Sequence, residues 1–296
     1  MRHLLEIDDL SADEILAVLD LAASEQPPQV LAGKGAALIF EKPSARTRNS
    51  MEMAVNQLGG HPVYIQGSEV GMDTRETVED VTHTMAAFHG LLGARVFAHA
   101  FVERMAAVNA VPVVNMLSDE AHPLQALADL LTIRQEFGSF EGRSIAYVGD
   151  ANNVARSLAL GAAAVGMPMR VAAPADYQFS EVDLDRINLS GCDLTVTDRP
   201  AEAVEGADVV YGDVWTSMGQ EDEREDRLKQ FEGFSVDDSL MSATTSDAVY
   251  LHCLPAHRGE EVQASVIDGD SSRVWRQAQN RMHAARGLIA WLLQQN

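Results

Sequence analysis

Short apolar runs and helix-patterned segments alternate along almost the whole chain, and the alternation begins afresh near its middle. In the first half, "AALIF" (Ala36 to Phe40), "HPVYI", "ARVFAH" and "VPVVNM" read as strands, being too short for helices. Helical spacing separates them. After Arg48, residues Met51, Ala54, Val55 and Leu58 share one face, and Gly59-Gly60 ends the run. "RETVEDVTHTMAAFHG" and "HPLQALADLLTIRQEFG" follow, the second with Pro123 suited to a first helical position. Past Gly138 the pattern restarts: "SIAYVGD" (strand), "NNVARSLALGAAAVG" (helix), "MRVAAP" and "DLTVT" (strands), "AVEGADVVYGD" (helix to strand) and "AVYLHCLP" (strand). Strands joined through helices must run parallel, with helices covering both sheet faces. The expected fold class is therefore α/β, with two similar-sized domains.

At 296 residues the chain has room for two domains, and the boundary is expected in the helix and turn near Gln135 to Gly142. "DDLSADEILAVLDLAA" opens the chain with a helix, Ser11 as its cap and Glu14 three residues on. The last helix, "VWRQAQNRMHAARGLIAWLLQ", has Val274, Ala278, Ala285, Leu288, Ile289 and Leu292 at core-like spacing, which by itself suits packing on either half. "QEDEREDR" reads as a solvated charged face.

Charge narrows the function. There are 44 acidic and 22 basic residues, a net charge of -22, and lysine occurs only as Lys34, Lys42 and Lys229. A carboxylate-rich, lysine-poor surface stays hydrated and is relieved of self-repulsion by salt, so a halophilic protein is expected, the alternative being an ordinary acidic cytosolic one. A nucleic-acid partner is not expected, since a duplex would meet negative surface. Cys192 and Cys253 build neither a disulfide framework nor a zinc pattern, so no metal is expected. "MRHLLEIDDLSADE" puts acids where a signal peptide needs an apolar core, and no stretch reaches the ~18 apolar residues of a membrane span. A cytoplasmic location without membrane attachment is expected.

Against that acidity, "FEKPSARTRNS" (Phe40 to Ser50) concentrates positive charge between a strand and a helix. Unpaired N–H groups and the helix dipole make such a start an anion cradle, with Ser44 and Thr47 as hydroxyl donors and Arg46 as a fork for phosphate; alternatively, Ser44 only caps the helix. "HPLQ" places His122 and Gln125 at another helix start, where imidazole and amide can meet one ligand; alternatively, His122 is structural. "YVGDANNVARS" lacks the G-x-G-x-x-G spacing, which argues against a nicotinamide cofactor; Asn152 and Asn153 either cap the helix or hold a small polar ligand. "GDVWTSMG" sets Asp213 at the carboxyl end of a strand, where ligands bind in such sheets. In "LHCLPAHRG", His252 and His257 flank Cys253 and read as structural.

In this order, "SARTR", "HPLQALAD", "GDANNVARS", "DVWTSMGQ", "HCLPAHRGEEV" and "NRMHA" resemble the aspartate/ornithine carbamoyltransferases, in their ornithine branch, from about Leu38 to Ala284. The resemblance implies a carbamoyl-phosphate domain (1–135 with 276–296, the last helix returning to it), an ornithine domain (136–275), and a homotrimer or multiple of trimers. It implies transfer of the carbamoyl group of carbamoyl phosphate to the side-chain amine of L-ornithine, without a cofactor. Carried over by position, Ser44, Ala45, Arg46 and Thr47 cradle the phosphate. Arg95 and the His122-Pro123-Leu124-Gln125 turn hold the carbamoyl group, and Arg281 completes that pocket. Asn152, Asn153, Asp213, Ser217 and Met218 fall on ornithine, and Cys253 and Leu254 line the reacting centre. Arg46, Arg95, His122, Asp213 and Cys253 are the expected catalytic set. The alternatives are another amine substrate or a non-catalytic anion-binding relative.

Two positions depart from the family pattern. Ala45 stands where the loop usually has threonine, which removes one hydroxyl donor, and Gly90 stands where relatives often carry aspartate. "GSEVGMDTRE" aligns ambiguously with the segment that reaches a neighbouring subunit in the family.

Overall fold

Every strand pairing is parallel, as the alternation requires. The computed structural model describes residues 1–217 and 219–296, which group into two units: Met1–Leu131 with Gln279–Asn296, and Thr132–Ala278.

The first unit holds α1 (Ala12–Ala23), β1 (Gly35–Phe40), α2 (Ala45–Gln57), β2 (His61–Gln66), α3 (Gly67–Val70), α4 (Val78–Ala86), β3 (His89–Arg95), α5 (His99–Val108) and β4 (Val113–Leu117). Helix α6 (Pro123–Phe137) leads into the second unit. The first sheet is ordered β2-β1-β3-β4. Ser11 and Glu14 form the expected capping box on α1, and the predicted face of α2 is buried at Met51, Ala54, Val55 and Leu58.

The second unit runs β5 (Ile145–Val148), α7 (Asn153–Ala164), β6 (Met169–Ala172), α8 (Glu181–Leu189), β7 (Leu194–Thr197), α9 (Pro200–Val204) and β8 (Val209–Gly212). It continues through α10 (Arg224–Gln230), α11 (Asp238–Ser242), β9 (Val249–His252) and α12 (Ala264–Ile267). Its sheet is ordered β7-β6-β5-β8-β9.

In each sheet the first strand lies inside the order, so the chain winds outward to one side and then to the other. The loops leaving β1 and β3, and those leaving β5 and β8, depart in opposite directions and open a crevice at the strands' carboxyl ends. The loop after β1 carries Ser44, and those after β5 and β8 carry Asn152 and Asp213; His122 follows β4, Cys253 and Leu254 follow β9, Arg95 ends β3, and Arg281 lies in the last helix.

Helix α13 (Val274–Gln295) carries the chain out of the second unit and returns it to the first. A close backbone approach explains its seat: a Cβ on Gly287 would stand 2.5 Å from the Val18 carbonyl oxygen and 2.6 Å from the Ala22 nitrogen of α1. Arg286 then donates to the Ala22 and Ser24 carbonyls at 2.7 and 2.8 Å, satisfying the end of α1.

Three sequence expectations need correction. The strand read at "ARVFAH" lies earlier, at His89–Arg95, and His99 instead begins α5. The register explains the shift: Phe40 pairs with Arg95, so extending β3 further would leave it unpaired beyond the end of β1. The preceding helix is consequently shorter than "RETVEDVTHTMAAFHG", since Phe88 and His89 are needed for the turn and strand. In the "QEDEREDR" run, Arg227 is not solvated. It is 6% exposed, donates to Asp150 and to the Trp215 carbonyl, and stacks on Tyr177. A buried carboxylate and an aromatic face compensate its desolvation.

Candidate active site

Helix α2 begins at the charged loop that follows β1. Ser44 is its N-cap, accepting the Thr47 N–H at 3.2 Å, and its hydroxyl donates to Thr47 Oγ1 at 3.2 Å. Thr47 is buried and forms the centre of a cationic cluster. Its Oγ1 accepts from Arg281 Nη2 at 2.8 Å and from Arg95 Nη1 at 3.4 Å. Arg281 Nη1 donates to Gln125 Oε1 at 2.8 Å, and Gln125 donates in turn to Asp129 at 2.8 Å. One guanidinium thus ties the start of α2 to the start of α6.

His122, 4% exposed, belongs to this cluster electrostatically. Burial, then the Arg281 and Arg95 cations, hold its imidazole well below the ordinary histidine value, so it is neutral at pH 7. Lys42 is also held below its usual range, by burial and then by Arg95, and its ammonium lies over the Phe97 ring at 4.5 Å.

The two loop arginines separate. Arg48 pairs with Glu52 at 2.8 Å and stacks on Tyr64 at 4.0 Å. Arg46 is exposed in the first turn of α2, and its side chain makes no hydrogen bond or ion pair with the described residues. Ala45 is exposed beside it, while Pro123 and Leu124 are buried at the start of α6.

In the second unit the centre is Asp213, one residue past β8 and 2% exposed. Its Oδ2 accepts from Asn152 Nδ2 at 2.9 Å and Tyr147 Oη at 3.2 Å. Its Oδ1 accepts from the Val214 N–H at 2.8 Å and from Cys253 Sγ at 3.0 Å. Asn152 also caps α7, accepting from the N–H groups of Val154 and Ala155, so capping and positioning coexist. Asn153 occupies the first position of α7. Burial, followed by the charge of Asp213, raises the Tyr147 phenol well above its ordinary value, so it remains a donor.

The loop after Asp213 is tied down by Arg227, whose Nη1 reaches Asp150 at 2.7 Å and the Trp215 carbonyl at 3.0 Å. Further along, the Ser217 N–H donates to Gln220 at 3.0 Å; Met218 lies outside the described residues. On the other side, Leu254 has φ +63°, a strained value for a non-glycine residue.

The structure thus gathers Ser44, Thr47, Arg95, Gln125 and Arg281 in one unit and Asn152, Asp213 and Cys253 in the other. Sequence reasoning passed over Lys42, Asp129, Tyr147 and Arg227. Lys42 had a signal, as one of three lysines, directly before the cradle. Tyr147 lies inside an apolar strand, where a phenol looks like core.

Among the described residues, two trios could supply metal ligands by type: Asp213, His252 and Cys253, and His257, Glu260 and Glu261, each with donor atoms within 4.8 Å of one another. Asp213 is already committed to four donors, His252 Nδ1 accepts the Leu254 N–H, and Glu260 pairs with Arg224.

Comparison with known proteins matches residues 2–135 to the family model "Aspartate/ornithine carbamoyltransferase, carbamoyl-P binding domain", and residues 141–292 to its "Asp/Orn binding domain". The ornithine carbamoyltransferase of Haloquadratum walsbyi is 42% identical, with 99% of this chain and 98% of that protein covered. That of Thermus thermophilus is 46% identical, with 99% and 97% covered. The solved structure of ornithine carbamoyltransferase from Pyrococcus furiosus superposes with a TM-score of 0.94 at 41% identity, covering 99% of this chain and 97% of that one.

Proposed function

Since the chain belongs to the aspartate/ornithine carbamoyltransferase family, we propose that it transfers the carbamoyl group of carbamoyl phosphate to the side-chain amine of L-ornithine, giving L-citrulline and phosphate. The observation that carries this reading is the division of charge at the two crevices: guanidiniums meeting at Thr47 in one unit, and a carboxylate with a thiol in the other. An anion and an ammonium-bearing amino acid are the complementary ligands.

In this reading residues 1–135 with 276–296 bind carbamoyl phosphate and residues 136–275 bind ornithine. The start of α2, from Ser44 through Ala45 and Arg46 to Thr47, receives the phosphate. Arg95, His122, Gln125 and Arg281 face the carbamoyl group, the neutral His122 donating a hydrogen bond to its oxygen as charge builds there. Pro123 and Leu124 hold that turn. Asn152, Asn153, Ser217 and Met218 contact ornithine, while Asp213, Cys253 and Leu254 lie at its reacting amine. The free amine adds to the carbamoyl carbon, the C–O bond to phosphate breaks, and the departing phosphate or Asp213 takes the amine's proton.

The test is citrulline formation from carbamoyl phosphate and ornithine in molar KCl, with aspartate and putrescine as competing amines. Absence of ornithine-dependent product overturns the assignment; product from another amine alone assigns a different substrate. A protein that binds carbamoyl phosphate and turns over no amine would be a non-catalytic relative.

The same reading takes the protein to be a cytoplasmic homotrimer or multiple of trimers, adapted to salt. Net charge of -22 with three lysines supports the last point. No helix among the described residues is long and apolar enough to cross a membrane. Sedimentation tests the trimer, and melting in dilute against molar KCl tests the salt adaptation, which equal or greater stability without salt would refute.

A further inference from the structure

One carboxylate holds both ends of the segment that carries Cys253. Glu261 is 1% exposed, and its Oε1 lies 3.3 Å from His252 Nε2 while accepting the backbone N–H of His257. Its Oε2 lies 3.7 Å from His257 Nδ1. Residues 252 and 257 bracket Cys253-Leu254-Pro255-Ala256, so one buried side chain anchors the end of β9 and the far side of the loop.

The His252 ring passes that anchoring on. Its Nδ1 accepts the Leu254 N–H at 2.9 Å, which leaves the ring proton on Nε2, the nitrogen facing Glu261. The Nε2 contact is not aligned as a hydrogen bond, so Glu261 acts on the ring through its charge. The Leu254 N–H thus reaches back to the ring of a residue two positions earlier, and Leu254 itself is left-handed, with φ +63°. Within the same turn, the Cys253 thiol donates to Asp213 Oδ1 at 3.0 Å.

We propose that Glu261 is a positioning residue for the amine side of the reaction: through His252 and the His257 backbone it fixes the Cys253–Ala256 turn, and with it the thiol-carboxylate pair that meets the substrate amine. This rests on the functional reading above. The desolvation of this carboxylate is offset by two imidazoles and one amide N–H, all of them on the two residues that bracket the loop.

Two readouts test it on the full-length protein, with Glu261→Gln as the isosteric variant and Glu261→Ala as the truncation. In the steady state, Glu261→Gln is expected to raise KM for ornithine at least ~3-fold with KM for carbamoyl phosphate within ~1.5-fold and an unchanged melting temperature. Glu261→Ala deepens the same split to ~10-fold or more. The second readout needs no turnover: iodoacetamide alkylation of Cys253, followed by mass spectrometry. The Glu261→Gln variant is expected to alkylate at least ~3-fold faster as the thiol loses its carboxylate acceptor. Cys192, whose thiol burial pushes up to about 11, serves as the slow internal reference. An unchanged alkylation rate, or parallel loss of both KM values with melting temperature, overturns the proposal in favour of a merely structural carboxylate. Wild-type protein that makes no citrulline would sink the functional reading alone, and alkylation would still decide the role of Glu261.

Discussion

Arg281 places Nη2 on Thr47 Oγ1 at 2.8 Å, joining residues 234 positions apart. The helix that returns to the first unit therefore completes the cationic cluster around Thr47.

Replacing Arg281 removes the donor shared by Thr47 and Gln125 and leaves their oxygens buried. Arg281→Ala should lower kcat/KM for carbamoyl phosphate by about 100-fold, or ~2.7 kcal/mol, on the scale of losing one donor to a developing oxyanion. Arg281→Lys should rescue little, since an ammonium does not span both acceptors as a planar fork does. Steady-state kinetics with ornithine saturating measure both.

Arg46 and Arg48 should separate cleanly. Arg46 has no partner among the described residues, so Arg46→Ala should leave the melting temperature unchanged while cutting kcat/KM for carbamoyl phosphate by ~100-fold. Arg48→Ala loses an exposed pair with Glu52 and the Tyr64 stack, so it should cost at most ~1 kcal/mol of stability and leave that KM within ~2-fold. Melting and kinetics on the two variants form the comparison.

Asp213 accepts from a thiol, an amide, a phenol and a backbone N–H. In Asp213→Asn, one of these positions becomes an amide N–H aimed at other donors. We expect kcat/KM for ornithine to fall at least ~100-fold, with KM for carbamoyl phosphate within ~3-fold. Equal loss toward both substrates would remove Asp213 from the amine site.

His122 links the site to pH-dependent stability. Its folded value is depressed, so between the unfolded value near 6.5 and the lower folded value the unfolded chain binds a proton that the folded chain does not. Stability therefore falls as pH drops below about 6.5, by up to ~1.4 kcal/mol per pH unit from this group. His122→Gln should flatten that part of the stability-pH curve, and urea titrations at pH 5, 6 and 7 (about one unit apart) measure the difference.

Gly287 tests the seat of the last helix. Alanine is the better helix former by about 1 kcal/mol, but its Cβ would meet backbone atoms of Val18 and Ala22, which cannot rotate away. Overpacking of this kind costs ~1–3 kcal/mol and should win, so Gly287→Ala is expected to lower the melting temperature by several degrees. A stabilised variant would show that α1 yields.

Much of this was legible in the primary structure. The strand and helix periods of β1, α2, β5, α7 and β9 follow from side chains alternating at 2 or recurring at 3.6 residues, and such patterns are local. So are the caps: Ser11, Ser44 and Asn152 precede helices whose first N–H groups they satisfy. The cradle and the motifs around Asp213 and Cys253 could be named because strand-end loops advertise themselves through turn chemistry and charge.

Other features depend on partners far away in sequence. Where β3 stops is set by its register against β1, which moved the strand from "ARVFAH" to His89–Arg95. Arg227 is buried because Asp150 and Tyr177 receive it, although its neighbours in the chain are solvated acids. Tyr147 and Asp129 look like core and helix surface until Asp213 and Gln125 are seen beside them. Most strands, most helices and the charged loops could be read from the chain alone, since those properties are periodic or adjacent. The meeting of Arg281 with Thr47, and of Glu261 with His252 and His257, is visible only in three dimensions, because a buried charge takes its role from whatever the fold packs against it.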